Sequence, residues 1–290
     1  LFPYTTLFRS FYSDLTTSPG MSELLSSSGS ELLEICDRAS AAVSSSIRDM
    51  VGMAAGGQMV NMGADGTPTK RIDRAAENAV LEVLRSSGKG FWVLSEEKGE
   101  MIVGRNPDHF LHLDPLDGTF NAIAGIPFYA LSIYIRGDDC RQGYIYDLAR
   151  GASFYAEAGR GAYAGSGERI SVSKNDDLMS FSISAYTIRP HTGRVTRIGD
   201  RVRRIRTLGS ASLEMALVAS GKLDSFVDLR GMMRVVDVAA GCLIIEEAGG
   251  RVSDSKGCQL QLERGMWQKR CVVGSNGRRH QDLLRLIEGD

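Results

Sequence analysis

Two aspartates three residues apart, in Asp114-Pro115-Leu116-Asp117-Gly118-Thr119, are the segment of this 290-residue sequence with the clearest chemical content. Pro115 sets its own φ and biases Asp114 toward an extended backbone, while Gly118 permits a tight turn. Both carboxylates can therefore point to one side at the end of a strand. Two acids held that close repel each other unless cations sit between them. The donors on offer are carboxylates and backbone carbonyls, a set suited to Mg²⁺ or Mn²⁺ rather than Zn²⁺. Beyond Asp117, the amides of Gly118 and Thr119 open a turn into residues 120–124, and amides in that position suit a phosphate. Metal ligands beside phosphate-binding amides imply metal-assisted phosphoryl transfer.

Three further acidic positions follow or interrupt apolar segments: Asp73 after a glycine-rich stretch, Glu96-Glu97 after a predicted strand, and Asp237 within Val235-Val236-Asp237-Val238-Ala239-Ala240. An isolated aspartate is ordinarily a solvated turn or a helix cap. Asp237 resists that reading, because valines and alanines on both sides predict an inward-facing helix start. An unpaired carboxylate there is costly, so something positive must neutralise it.

The elements that must position these residues are legible from periodicity. Apolar residues at Leu33, Cys36, Ala39, Val43, Ile47 and Met50 predict a helix over 30–50. Gly52, Gly56, Gly57, Gly63 and Gly66 then break the pattern, and Pro68 marks a loop. From Ala54 to Lys70 this loop is expected to act as a mobile lid, bringing Asp65 toward a metal and closing on phosphate. A second helix is expected from about Ile72 to before Gly88, then short strands at 91–94 and 110–113. An antiparallel meander follows at 130–136, 142–146 and 152–157. After residue 171 strands and helices alternate: strands at 181–185, 223–227 and 271–274, and helices at 192–203, 210–220 and 235–247. A terminal helix ends the series. This alternation predicts layered α/β structure. The expected division is an N-terminal α+β lobe over 21–170 carrying the metal site, and a C-terminal α/β lobe over 171–290 carrying substrate contacts.

Composition excludes several classes. With 34 Lys+Arg against 35 Asp+Glu, the chain has no basic field for nucleic acid. The cluster Arg201, Arg203, Arg204 and Arg206 lacks interleaved aromatics and reads as a solvated face with one arginine turned inward. Five scattered cysteines without a C-x-x-C pair read as reduced thiols of a cytoplasmic protein. The longest charge-free stretch, Thr119 to Ile135, is broken by Gly125 and Pro127, so no membrane span is expected. Residues 1–10, LFPYTTLFRS, resemble the in-frame translation of a sequencing-adapter oligonucleotide. Residues 1–20 are therefore expected to be a non-native tail, with Met21 as the start of the gene. The adapter segment should be missing from the intact mass of protein made from the natural gene.

Taken together, Ser-Glu96-Glu97, Asp114-Pro-Leu-Asp117-Gly-Thr119-Phe-Asn and Val236-Asp237-Val-Ala-Ala-Gly followed by Glu-Ala-Gly-Gly resemble the three signatures of the inositol monophosphatase family. The resemblance runs from about residue 30 to 285. Gly63-Ala-Asp65-Gly-Thr67-Pro-Thr69-Lys-Arg-Ile-Asp73 and Asp228-Leu-Arg230-Gly are closer to archaeal members that act on both inositol 1-phosphate and fructose 1,6-bisphosphate. The resemblance implies a layered α/β/α/β/α sandwich, a homodimer, two to three Mg²⁺ ions per subunit (Mn²⁺ as a substitute) and sensitivity to lithium. Glu96, Asp114 and the Leu116 carbonyl would hold one metal. Asp114, Asp117 and Asp237 would hold a second, with a looser third between Glu96 and the glycine loop. Thr119, hydrogen-bonded to Asp73, would orient and help deprotonate the attacking water, and Glu97 would support a neighbouring ligand.

The same resemblance seats phosphate on Asp117, Gly118 and Thr119. It turns Arg206, Gly209, Ser210, Ala211 and Arg230 toward the rest of the substrate, with Asp237 beside it and Lys70 on the mobile loop. Many animal members have Glu at the Arg230 position. Arginine there favours a second anionic group over a bare polyol, so fructose 1,6-bisphosphate gains over inositol phosphate. The competing reading pairs Arg230 with Asp228 or Glu214 on the surface. The nearest alternative function is a 3′(2′),5′-bisphosphate nucleotidase or NADP phosphatase of the same superfamily. A non-catalytic regulatory protein on the same fold is the more distant one.

Overall fold

The computed structural model describes residues 25–64, 66–165, 167–190, 192–262 and 268–289. The N-terminal tail and the lid residue Asp65 lie outside the described residues. Helix α1 (Ser27–Ile47) begins where Ser26 accepts a hydrogen bond from the Gly29 amide at 2.9 Å. Its buried stripe includes Leu32, Leu33, Cys36, Ala39, Val43 and Ile47. The following stretch is more ordered than its glycines suggest. A 3₁₀ turn at Ala54–Gly57 leads into a hairpin of β1 (Met59–Met62) and β2 (Pro68–Lys70). Helix α2 (Arg71–Ser86) then packs against α1 through Ile72, Ala76, Val80, Leu81 and Leu84.

The main sheet has eight strands. These are β3 (Phe91–Ser95), β4 (Gly99–Val103), β5 (His109–Asp117), β6 (Ala130–Arg136), β7 (Arg141–Asp147), β8 (Ala152–Glu157), β9 (Gly161–Ala164) and β10 (Glu168–Ile170). Their order across the sheet is β10-β9-β8-β7-β6-β5-β3-β4. Only the β3–β5 pairing is parallel. Strands β5 and β6 are buried on both faces, so burial along them is nearly continuous rather than alternating, polar His112 and Asp114 included. The six-residue helix α3 (Thr119–Ala124) leaves the end of β5.

The second sheet comprises β11 (Ser182–Tyr186), β12 (Arg204–Arg206), β13 (Ser225–Met233), β14 (Arg251–Ser253) and β15 (Arg270–Ser275), ordered β12-β11-β13-β15-β14. Helices α4 (Thr192–Gly199) and α7 (His280–Glu288) cover its outer face through Ile198, Leu283, Leu284 and Ile287. Helices α5 (Ala211–Ala219) and α6 (Val235–Glu247) lie between the two sheets, which is why α6 is buried all round from Val235 to Ile245. Gly143 of β7 lets α6 approach closely, since a Cβ there would stand 2.8 Å from the Ala240 carbonyl oxygen. The layers run α/β/α/β/α.

Several elements depart from the periodicity reading. Strands β1, β2, β4, β9, β10, β12 and β14 were not foreseen, being short runs of three to five residues. Helix α4 stops at Gly199 rather than Arg203, because residues 204–206 pair in parallel with β11. Part of the arginine cluster is thus an edge strand. Each sheet is confined to one side of residue 171, but α5 and α6 from the C-terminal side pack on the first sheet, so the core is shared across that boundary.

Candidate active site

In a regular strand, residues three apart face opposite sides. Asp114 and Asp117 escape this because the β5–β6 register slips between them: Asp114 pairs with Ser132 but Asp117 with Ala130. Three steps on β5 match two on β6, a bulge of one extra residue at Pro115-Leu116. Pro115 has no amide hydrogen for the ladder, so the slip falls where a ladder bond is already missing. Gly118 completes the turn at φ +89°. A Cβ there would lie 3.1 Å from the carbonyl oxygens of Gly209 and Phe128.

Three elements converge on this point. Glu96 comes from the turn after β3, Asp114 from β5 and Asp237 from the first turn of α6. Each offers a carboxylate oxygen within 4.8 Å of the others. The all-oxygen donor set fits a hard divalent cation. Burial pushes the Asp114 carboxyl well above its usual range, and the charges of Glu96, Asp117 and Asp237 push it further. Glu96 is raised to about 8 by burial, although Arg234 works the other way. Crowded, desolvated carboxyls of this kind are poised to exchange protons for metal.

The surrounding cleft has a volume of about 380 Å³. Leu116, Asp117, Gly118, Thr119, Gly209, Ala211 and Arg230 line it together with the three acids. Asp117 is not part of the three-carboxylate group found among the described residues. Its Oδ2 accepts hydrogen bonds from Ser210 Oγ and the Ser212 amide, both at 2.7 Å, which ties β5 to the start of α5. Ser210 is thus a helix cap bonded to Asp117 and does not line the cleft. Arg206 lies outside the cleft lining as well, with its Nη1 buried and unpaired. Lys70 lies at the start of α2, where its amide donates to Asp73 Oδ2 at 3.1 Å.

Thr119 Oγ1 donates to Asp73 Oδ1 at 2.8 Å and lies 3.0 Å from the Leu116 carbonyl oxygen. Burial raises the Asp73 carboxyl, opposed by the Thr119 bond. Arg230 combines both readings of that residue. Its guanidinium grips Asp228 through Nε at 2.9 Å and Nη2 at 2.6 Å, yet it lines the cleft and stacks 4.7 Å from the Tyr186 ring centroid. Glu97 accepts from Thr69 Oγ1.

Sequence reasoning missed Arg234, Met232, Met233, Glu77 and Tyr186, and offered Glu214 only as a surface partner of Arg230. Arg234, three residues before Asp237, is the positive group that meets that buried carboxylate, and the i, i+3 spacing at a helix start was the available signal. Met232 and Met233 line the cleft because β13 bulges against β15: Asp228 pairs with Val272 and Met233 with Arg270. Fully buried Glu77 braces the Glu96 turn, accepting from Ser95 Oγ at 2.5 Å and the Lys98 amide at 3.0 Å. Glu214 accepts from Ser184, Tyr186 and the Leu208 amide, while Tyr186 Oη accepts from the Gly209 amide at 2.8 Å. A larger concavity of about 480 Å³ opens at the other end of the main sheet around Trp92, Arg136 and Arg141. It contains none of the clustered carboxylates, so the site is assigned to the smaller cleft.

No helix among the described residues is long and apolar enough to cross a membrane. The inositol monophosphatase family pattern matches residues 30–289. A Methanothermobacter thermautotrophicus protein named fructose-1,6-bisphosphatase/inositol-1-monophosphatase is 36% identical over 260 residues, 85% of this chain and 92% of that protein. A Methanococcus maripaludis bifunctional NADP phosphatase/NAD kinase is 34% identical over 279 residues, covering 89% of this chain but 49% of that protein. Among solved structures, a Pyrococcus horikoshii protein described as having similarities for inositol-1 monophosphatase superposes with a TM-score of 0.77. It is 31% identical, over 89% of this chain and 97% of that one. The chain belongs to the inositol monophosphatase family.

Proposed function

We propose that this chain is a Mg²⁺-dependent phosphomonoesterase that hydrolyses fructose 1,6-bisphosphate and inositol 1-phosphate. The observation that carries the reading is the convergence of Glu96, Asp114 and Asp237 within 4.8 Å on a cleft that also presents Thr119 and Arg230. A divalent cation held by these carboxylates, with Asp117 and the Leu116 carbonyl beside them, supplies Lewis-acid stabilisation of the phosphoryl charge and activation of water. Thr119 directs its hydrogen to Asp73, which leaves its oxygen lone pairs free to orient an attacking water; as Thr119 takes the water's proton it passes its own hydrogen to the Asp73 carboxylate, which ends protonated. Gly118 keeps the backbone beside the phosphate free of a side chain. Arg230, stacked on Tyr186, offers its guanidinium to a second anionic group of the substrate.

The reading carries with it two to three metal ions per subunit, a cytoplasmic homodimer and a hairpin lid over β1–β2. Equilibrium dialysis and sedimentation test the first two. NADP phosphatase activity is the second reading, favoured by the relative matched over 89% of this chain. One steady-state panel decides between them: fructose 1,6-bisphosphate, inositol 1-phosphate, NADP and adenosine 3′,5′-bisphosphate, each with and without Mg²⁺. The sugar-phosphate reading fails if either nucleotide is turned over far faster than both sugar phosphates.

A further inference from the structure

Arg234 is the residue that caps α6, and it reaches back over the acidic cluster. Its Nη2 donates to Glu96 Oε1 at 2.6 Å and to Asp237 Oδ1 at 2.8 Å. Its Nε donates to Asp237 Oδ2 at 3.2 Å, and its amide to the same oxygen at 2.7 Å. The side chain is 12% exposed. The guanidinium therefore uses oxygens on two of the three carboxylates that converge within 4.8 Å. A Mg²⁺ or Mn²⁺ ion needs oxygen lone pairs at about 2 Å with near-octahedral geometry, and it carries two positive charges into a space where Arg234 already supplies one. A cation and a guanidinium sharing the same carboxylates would repel each other in a partly desolvated site.

We propose that Arg234 is an internal counter-cation that competes with the metal: it neutralises Glu96 and Asp237 in the metal-free protein and must give up these contacts when metal binds. The inference rests on the phosphatase reading of the same site and adds a control on metal loading within it. Arg234 is joined to Asp237 by the short span of a helix cap but to Glu96 only through space, 138 residues away in the chain. The Glu96 contact is accordingly the one that metal uptake breaks outright. With three carboxylates and one guanidinium, the metal-free pocket carries a smaller excess of negative charge than the acids alone, and its affinity for a divalent ion is lower.

The test is equilibrium binding of Mn²⁺, without substrate, to the full chain stripped with EDTA, comparing wild type, Arg234→Met and Arg234→Lys. Free Mn²⁺ is read by its paramagnetic resonance signal. Arg234→Met should bind the ion at least about tenfold tighter, because metal no longer has to break charge-assisted hydrogen bonds, each worth about that factor. Arg234→Lys keeps the charge but cannot span both carboxylates, and should fall between the two. Mn²⁺ should also raise the melting temperature of Arg234→Met more than that of wild type. This readout applies even if the variant is poorly folded without metal. Equal or weaker Mn²⁺ binding by Arg234→Met would overturn the proposal, since it would make Arg234 a brace that holds the ligands for metal. If wild type hydrolyses sugar phosphates and Arg234→Met binds Mn²⁺ no tighter, only the counter-cation role fails. If wild type binds no Mn²⁺ at all, the phosphatase reading fails and this inference with it.

Discussion

Replacing Thr119 with valine removes one hydroxyl from the cleft and little else. Valine matches threonine in shape, and the lost oxygen sits between Asp73 Oδ1 at 2.8 Å and the Leu116 carbonyl at 3.0 Å. Two costs follow. Asp73, only 5% exposed, loses the bond that opposes its burial and keeps the Lys70 amide on its other oxygen. Leaving one acceptor of a buried group unpaired costs about 1–3 kcal/mol of stability. The larger effect is kinetic: a positioned proton acceptor contributes roughly 10²–10⁴-fold to rate, which corresponds to about 3–5 kcal/mol of barrier. Thr119 is not one of the clustered carboxylates, so metal affinity should stay within about threefold of wild type, less than 1 kcal/mol. The assay is single-turnover release of phosphate at saturating Mg²⁺, run beside a Mn²⁺ binding isotherm and a thermal melt, with Thr119→Ser expected to retain most of the rate. A Thr119→Val variant within a few-fold of the wild-type rate would refute the Thr119–Asp73 proton path. So would a rate loss that higher metal concentration restores.

Other outcomes follow from the same geometry. Asp237→Asn should abolish metal-dependent hydrolysis, because it removes one of three converging carboxylates; undiminished turnover in that variant would remove the metal assignment. Gly118→Ala places a side chain at φ +89° and within 3.1 Å of two carbonyl oxygens. It should cost about 1–3 kcal/mol in a urea melt and depress kcat by displacing Thr119. Glu214 is raised to about 7 by burial, against the three donors that face it. An acid protonated in the folded state and ionised in the unfolded one binds more protons when folded, so this group's stabilisation is present at low pH and lost as pH rises from about 4.5 to 7. Glu214→Gln should flatten that part of the metal-free urea midpoint against pH, and an unchanged slope would show that Glu214 does not titrate there. Burial and mutual repulsion raise Glu96 and Asp114 together, so the slope that remains above this range belongs to the pair and should shrink when Mg²⁺ is added.

Local pattern carried much of the reading. The Leu33-Cys36-Ala39-Val43-Ile47 spacing foretold α1, and the apolar run from Val235 foretold α6 over its full length. The meander of β6, β7 and β8 was legible because each strand is bounded by glycine turns. What escaped was either short or paired from afar. β12 is three residues long and reads as charge, and it becomes a strand only because β11 lies beside it. Arg206 was expected among the substrate contacts; it ends that same edge strand, paired with Ser184, and is absent from the cleft lining. Ser210 and Asp117 were assigned separate roles, yet they bond to each other across 93 residues of chain.

The amino-acid sequence by itself determined the chemistry available: which carboxylates exist, which of them sit in segments that must be buried, and that Asp237 needs a positive partner. Those conclusions rest on composition, spacing and the cost of burying charge, all of which are local. The tertiary structure decided which partner that would be. The β5 bulge turned Asp114 and Asp117 to one side. Packing of α6 between the two sheets then carried Arg234 to Glu96. Register slips and the docking of a helix depend on contacts between residues far apart in the chain, so periodicity, which is blind beyond a few residues, cannot encode them.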